Sequence, residues 1–210
     1  MIAVHVRRFF ADKPLLKDIF RAVALGGAAS APLLDAACCA HLLKEAEAKG
    51  YVFAPQPEVQ GKEDARVYQQ LETVLDFPEE SDFLLLRDVF EALLSSHAES
   101  LPEYPFSFAP VFNSITLARY PAGSFGITPH LDHLKYKNLL CIFVLGGKGK
   151  FFVCADRAGN GAREIDASVG NVIFLRCPGF MSIAKRPFHF LKDIDATRYS
   201  FVLRQEQPCS

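Results

Sequence analysis

The apolar positions of this chain change their period part-way along. In the first half they recur at helical spacing, and after Pro105 they fall into short β-rich runs separated by Gly, Pro, Asn and Asp. From Pro32 to Lys49 the residues Leu34, Cys38, His41, Leu42 and Ala46 share one helical face. Ser30 or Ala31 precedes Pro32 in the first turn, and Gly50 supplies the stop. A second helix is predicted from Ser81 to Ser96, where Ser81 is the capping residue and Phe83, Leu86, Phe90 and Leu93/Leu94 repeat at helical intervals. Residues 51–80 have weak periodicity and read as a possible lid. The stretch from Glu58 to Glu103 is rich in acids, as a solvated helical layer would be.

Strands are predicted at Ser114–Tyr120, Leu139–Leu145, Lys150–Cys154, Val172–Arg176, Pro187–Leu191 and Arg198–Arg204. Gly146-Gly147-Lys148-Gly149-Lys150 lacks the spacing and the Ser/Thr of a phosphate loop and reads as a hairpin turn between two of them. Helices first and strands afterwards point to α+β, and many short strands to a sandwich or barrel such as a jelly roll.

Composition narrows the class. The 210 residues suit a single domain, with residues 1–105 as a helical layer and 106–205 as the β core. Charged residues make up 22 % and the net charge is −1, which excludes a disordered chain and a strongly basic nucleic-acid binder. No apolar run is long enough to span a bilayer. Met1–Phe10 is interrupted by His5, Arg7 and Arg8, so a cytoplasmic protein is expected. The six cysteines form no CxxC pair and read as buried reduced thiols.

Candidate chemistry sits in the β half. His130-Leu131-Asp132 places an imidazole and a carboxylate two residues apart, on one face if the backbone is extended. With His189, which lies among Pro187, Phe188, Phe190 and Leu191, they make a candidate facial triad, a donor set that suits iron(II) and leaves coordination positions open. His133 is an alternative ligand facing the other way; His5, His41 and His97 read as structural or exposed. In the last strand Arg198, Ser200, Val202 and Arg204 share one face, and Tyr199, Phe201 and Leu203 the other. The first face would carry two guanidiniums into the barrel mouth. Burying them is costly unless a partner such as a dicarboxylate pairs with them.

Taken together, Tyr120-Pro-Ala-Gly123, His130-Leu-Asp132, His189 and Arg198-Tyr-Ser200 resemble the iron(II)/2-oxoglutarate-dependent dioxygenase superfamily over roughly residues 113–205. The resemblance implies a double-stranded β-helix with N-terminal helices packed on one sheet. It implies Fe(II) on His130, Asp132 and His189. It also implies 2-oxoglutarate held at its distal carboxylate by Arg198 and Ser200, with Tyr120 as a further contact. The ending Arg198-Tyr-Ser-Phe-Val-Leu-Arg204 is similar to that of AlkB-type demethylases, where the second arginine lies by the metal-binding end of the cosubstrate. Ala118 stands where those chains carry asparagine. The implied reaction couples oxidative decarboxylation of 2-oxoglutarate by O2 to hydroxylation or demethylation. The prime substrate stays open between a protein side chain, a methylated nucleobase and a small metabolite. Lys135, Lys137, Lys148, Lys150, Lys185, Arg186 and Lys192 would favour an anionic substrate if they ringed the barrel mouth, although the overall charge does not point to nucleic acid. A non-catalytic β-barrel binding module and a cupin-like metalloenzyme without cosubstrate are the alternatives.

Overall fold

The structure is a computed structural model and describes residues 9–10, 16–48 and 51–207. Leu16, Phe20 and Val23 recur at helical spacing and are buried on one face of the first helix, α1 (Leu16–Gly26), which the sequence reading did not assign. The next segment corrects an expectation. Pro32 does not open a helix but ends a strand, β1 (Ala28–Pro32), paired with Asn171–Leu175. The helix begins later, as α2 (Ala36–Ala46), because Asp35 caps it by accepting the backbone N–H of Cys38 at 2.7 Å. Its buried side chains are Cys38, Cys39, Leu42 and Ala46, while His41 is exposed. The predicted stop at Lys49-Gly50 lies outside the described residues.

Four short strands follow: β2 (Ala54–Pro55), β3 (Val59–Gln60), β4 (Val67–Tyr68) and β5 (Glu72–Val74). Helix α3 (Asp82–Glu99) is capped by Ser81, whose hydroxyl accepts from the Phe83 N–H. The β half comprises β6 (Ser114–Tyr120), β7 (Ile127–His130), β8 (Tyr136–Cys154), β9 (Arg163–Ile165), β10 (Asn171–Arg176) and β11 (Phe188–Glu206).

The expected hairpin at Gly146–Lys150 does not exist. The chain continues through it as one strand of 19 residues, β8, which runs antiparallel to β11, also of 19 residues. The glycines there serve close approach instead of a turn. Gly147 has φ 80, and a Cβ on it would lie 2.0 Å from the Thr197 carbonyl oxygen. The β8–β11 register shifts between Lys192 and Ser200, so the ribbon bends there. On one side of the bend the ribbon joins β10 and β6, and beyond them β1, β5 and β2. On the other side it joins β9 and β7. Every pairing is antiparallel among the described strands, so the molecule is a mixed helix-and-strand chain with a large antiparallel sheet.

Alternation along the strands divides the core. Leu139, Cys141, Phe143, Val172, Phe174, Phe201 and Leu203 pack with the helices, around Phe83, Phe90 and Leu42. Their neighbours Leu140, Val144, Ile173, Leu175 and Val202 point the other way, into a second cluster with Phe151, Val153 and Leu191 from beyond the bend. Cys38, Cys39, Cys141 and Cys177 are buried, Cys154 is half-buried, and Cys209 lies outside the described residues. Burial pushes the Cys39 thiol up to about 11.

Two glycines of like backbone separate conformational strain from crowding. Gly147→Ala is expected to destabilise the fold by about 3–4 kcal/mol, the sum of left-handed strain and a displaced strand. Gly123 also has positive φ, but nothing lies within 4 Å of its added Cβ. Gly123→Ala is expected to cost only about 1–2 kcal/mol. Urea unfolding of both variants checks the difference.

Candidate active site

His130 is the last residue of β7, and the backbone has left the strand by Asp132. Opposite it, His189 near the start of β11 is the direct cross-strand partner of His130. The two rings lie 4.2 Å apart between centroids, and Asp132 Oδ2 lies 3.2 Å from His189 Nε2. One donor atom from each of the three residues falls within 4.8 Å of the others. Both imidazoles are turned by the backbone. His130 Nδ1 lies 2.8 Å from the Thr128 carbonyl oxygen, and His189 Nδ1 lies 3.4 Å from that of Pro187. A carbonyl beside Nδ1 holds the proton there and leaves Nε2 with the free lone pair.

Arg186 ties the two ligand segments together. Its guanidinium donates to the Asp132 backbone carbonyl, and the next residue, Pro187, supplies the carbonyl that faces His189. Sequence reasoning had placed Arg186 only among the basic residues considered for the barrel mouth; no sequence signal distinguishes it from its neighbour Lys185. His133 is exposed, and its ring nitrogen accepts from the Lys135 N–H, so it stands apart from the cluster. A second grouping, His41, Glu45 and Asp82, is committed to capping. Glu45 accepts from Tyr51 and Ser81 and from the Asp82 backbone N–H at the start of α3.

The three residues open onto a cavity of about 310 Å³. Arg198, Ser200, Val202 and Arg204 line it from β11, with Tyr120 from β6, while Phe201 and Leu203 face the helices. Arg198 is 1 % exposed. Its Nη1 donates to the Ala167 carbonyl at 3.2 Å, and its Nε is buried without a partner. Gly149 leaves room for it, since a Cβ there would sit 3.4 Å from Arg198 Cδ. Arg204 donates from Nη1 to Thr116 Oγ1 at 3.0 Å and lies over the Tyr136 ring, and its Nε is likewise buried and unpaired. Among the described residues no carboxylate pairs with either arginine. Burial pulls Arg198 down to about 10 and pushes the Tyr120 phenol up to about 12.

The mouth of the cavity is formed by the segment that the sequence marks as a possible lid, residues 51–80. Gln56, Gln60, Gln69, Leu71, Thr73 and Leu75 line it. This segment is stitched to β7: the Gln70 N–H donates to the Gly126 carbonyl at 2.8 Å, and the Tyr68 N–H to Thr128 Oγ1 at 3.0 Å. None of the seven basic residues noted from the sequence lines the cavity. Lys135 pairs with Glu206, Lys148 with Asp195 and Lys150 with Asp193.

The cluster's ionisation fixes a pH dependence. Burial, and then His189, lower the His130 imidazole to about 4. Burial alone would raise the Asp132 carboxyl, but His189, His130, Arg204 and Arg186 outweigh it and the net shift is downward. An imidazole lowered in the folded state takes up protons first in the unfolded chain, whose histidine titrates near 6.5. Stability therefore falls as pH drops from about 6.5 to about 4. In chelator-treated protein this loss is expected to be roughly 2–4 kcal/mol. In His130→Gln it should flatten, as denaturant titrations at pH 7, 5.5 and 4 would show.

No family model and no curated protein matches the chain. Solved structures do. A prolyl hydroxylase from Trichoplax adhaerens, in complex with a hypoxia inducible factor oxygen degradation domain peptide fragment, superposes with TM-score 0.67 at 14 % identity, over 92 % of this chain and 90 % of that one. A 2OG-Fe(II) oxygenase family oxidoreductase from Burkholderia pseudomallei gives 0.61 at 15 % identity, over 92 % and 91 %. The AlkB homologue OsALKBH1 gives 0.56 at 14 % identity, over 85 % and 98 %. At these identities the likeness is one of fold: the chain has the fold shared by prolyl hydroxylases, 2OG-Fe(II) oxygenases and an AlkB homologue.

Proposed function

We propose that this chain is an Fe(II)/2-oxoglutarate-dependent dioxygenase on a double-stranded β-helix, or jelly roll, with its N-terminal helices packed on one sheet. One observation carries the reading: a single cavity joins a His-Asp-His cluster to two arginines, Arg198 buried and Arg204 half-buried, whose buried Nε atoms have no hydrogen-bond partner and which have no carboxylate partner among the described residues. The donor set fits iron(II), with two Nε2 lone pairs and a carboxylate kept ionised by its neighbours. The unpaired Nε atoms of Arg198 and Arg204 fit a dicarboxylate, because a buried guanidinium without a counter-charge is costly.

His130, Asp132 and His189 would hold the metal. Arg198 and Ser200 would hold the distal carboxylate of 2-oxoglutarate, and Arg204 its other end. Tyr120 stays a neutral phenol up to about pH 12 and so serves as a hydrogen-bond donor. The chemistry the bound pair supplies is a coupled oxidation: substrate C–H, O2 and 2-oxoglutarate give substrate C–OH, succinate and CO2. When the hydroxylated carbon is a methyl on nitrogen, the resulting N–CH2OH group breaks its C–N bond, the nitrogen keeps the hydroxyl proton and formaldehyde leaves, so the outcome is demethylation. The protein's part is to fix both carboxylates, keep the His130 imidazole neutral and wall the site from bulk water.

Anaerobic Fe(II) titration tests the class. A weak visible charge-transfer band is expected only with iron and 2-oxoglutarate together, and neither His130→Ala nor Asp132→Ala should show it. Arg198→Ala should weaken 2-oxoglutarate binding by two to three orders of magnitude, since about 3–5 kcal/mol is lost when a buried charge loses its partner. Arg198→Lys should retain part of the affinity, because the charge survives while the fork does not. Unaltered affinity in Arg198→Ala would leave the cupin-like or binding-module reading in its place. Arg186→Gln, which frees the Asp132 segment, should lower iron affinity about 10- to 100-fold. Its melting temperature should change little.

A further inference from the structure

The cavity does not end at its mouth. A second depression of about 260 Å³ shares Gln56, Thr73 and Leu75 with it and continues past Val52 and Ala54 to Asp76. The two form one trough along β2, the outermost strand at that end of the sheet. Its length gives room for a polymer segment instead of a compact metabolite.

The charge along the trough selects the polymer. Apart from the His-Asp-His cluster and the two deep arginines, its one Asp, Glu, Lys, Arg or His side chain is Asp76. Glu79 and Glu80, exposed just beyond Asp76, add to the same sign. A nucleic-acid strand needs lysines or arginines against its phosphates, and affinity for it rests on them. Here Lys135, Lys148 and Lys150 are paired with acids, and no lysine lines the trough. The polar groups present are carboxamides and hydroxyls, which donate and accept as peptide groups do. Gln56 is fixed by its bond to Thr73 Oγ1 at 2.7 Å, so the carboxamide is held in place at the junction of the two depressions.

We propose that the trough takes an extended polypeptide segment whose target side chain is uncharged and which carries a basic residue at the Asp76 end. This rests on the oxygenase reading for what happens to that side chain, but not for the binding itself. The neutral target follows from the cavity, where the amide-lined mouth offers no counter-charge beyond the groups assigned to metal and cosubstrate. The basic flank follows from Asp76 and the two glutamates after it.

Fluorescence anisotropy with labelled probes tests binding without turnover. The probes are short degenerate peptide pools flanked by lysine, the same pools flanked by glutamate, and methylated single-stranded oligonucleotides. The lysine-flanked pool should bind best, and its advantage over the glutamate-flanked pool should shrink with added salt. Asp76→Lys should invert the order of the two pools, each shifting about threefold, the scale of one exposed ion pair. An inversion is not what misfolding produces. Tighter binding of the oligonucleotides, equal binding of the two pools, or an unchanged order in Asp76→Lys would each overturn the proposal. A second readout is succinate release, which the lysine-flanked pool should stimulate most. Peptide binding that obeys these rules without any iron- and 2-oxoglutarate-dependent band would uphold the trough and refute the oxygenase reading.

Discussion

The antiparallel pairing of β8 with β11 is the constraint on which the rest depends. Two 19-residue strands hold one register from Phe188 to Lys192 and another from Ser200 to Arg204, on either side of a bend, and that register decides what every neighbouring side chain faces. Because side chains alternate along a strand, a slip by one residue would turn Arg198, Ser200 and Arg204 into the helix-side core. It would turn Phe201 and Leu203 into the cavity. The bend matters as much as the pairing. It brings the start of β11, with His189, against β7, while the end of β11 pairs with β6. The cavity is enclosed by strands from both sides of one bent ribbon, and Gly147 and Gly149 let its two strands approach closely enough to make the bend.

Electrostatics within that enclosure are unbalanced by design of the fold. One carboxylate, Asp132, faces two guanidiniums, and neither guanidinium has an acidic partner among the described residues. Desolvation lowers the affinity of Arg198 for its proton, and the same loss of water strengthens its attraction for an incoming anion. The lowered His130 imidazole and the depressed Asp132 carboxyl are the matching half of the arrangement, since they favour a cation. A site prepared for a cation at one wall and an anion at the other is hard to reconcile with a purely structural role.

Much of this was legible in the sequence because it depends on local periodicity. The alternation in Arg198–Arg204 separates cavity from core without any tertiary information, and Ser81 with Phe83, Leu86 and Phe90 marks a helix and its cap. The misreadings have physical causes as well. Ala28–Pro32 is poor in β-branched residues and became a strand only because Asn171–Leu175 offers it an edge. Gly146-Gly147 carries every local mark of a turn, and only the close approach of Thr197 shows what the glycines are for. The weak periodicity of residues 51–80 marked the segment at the cavity mouth, but neither its three lining glutamines nor the part played by Arg186 was legible, because a polar residue at a cavity mouth has the same local pattern as one on a solvated surface.

The order of the elements also sets when the site comes into being. β7 and β11 supply the two histidines, and β8, β9 and β10 lie between them in the chain. During synthesis the His130–Asp132 pair leaves the ribosome well before His189, and the ribbon that unites them cannot zip until β11 has followed. Until then Cys141, Phe143 and Phe174 have lost one wall of their core, and the nascent chain offers two ligands where the finished one offers three. Under the proposed function, a metal would therefore find its full set of donors only on the folded chain.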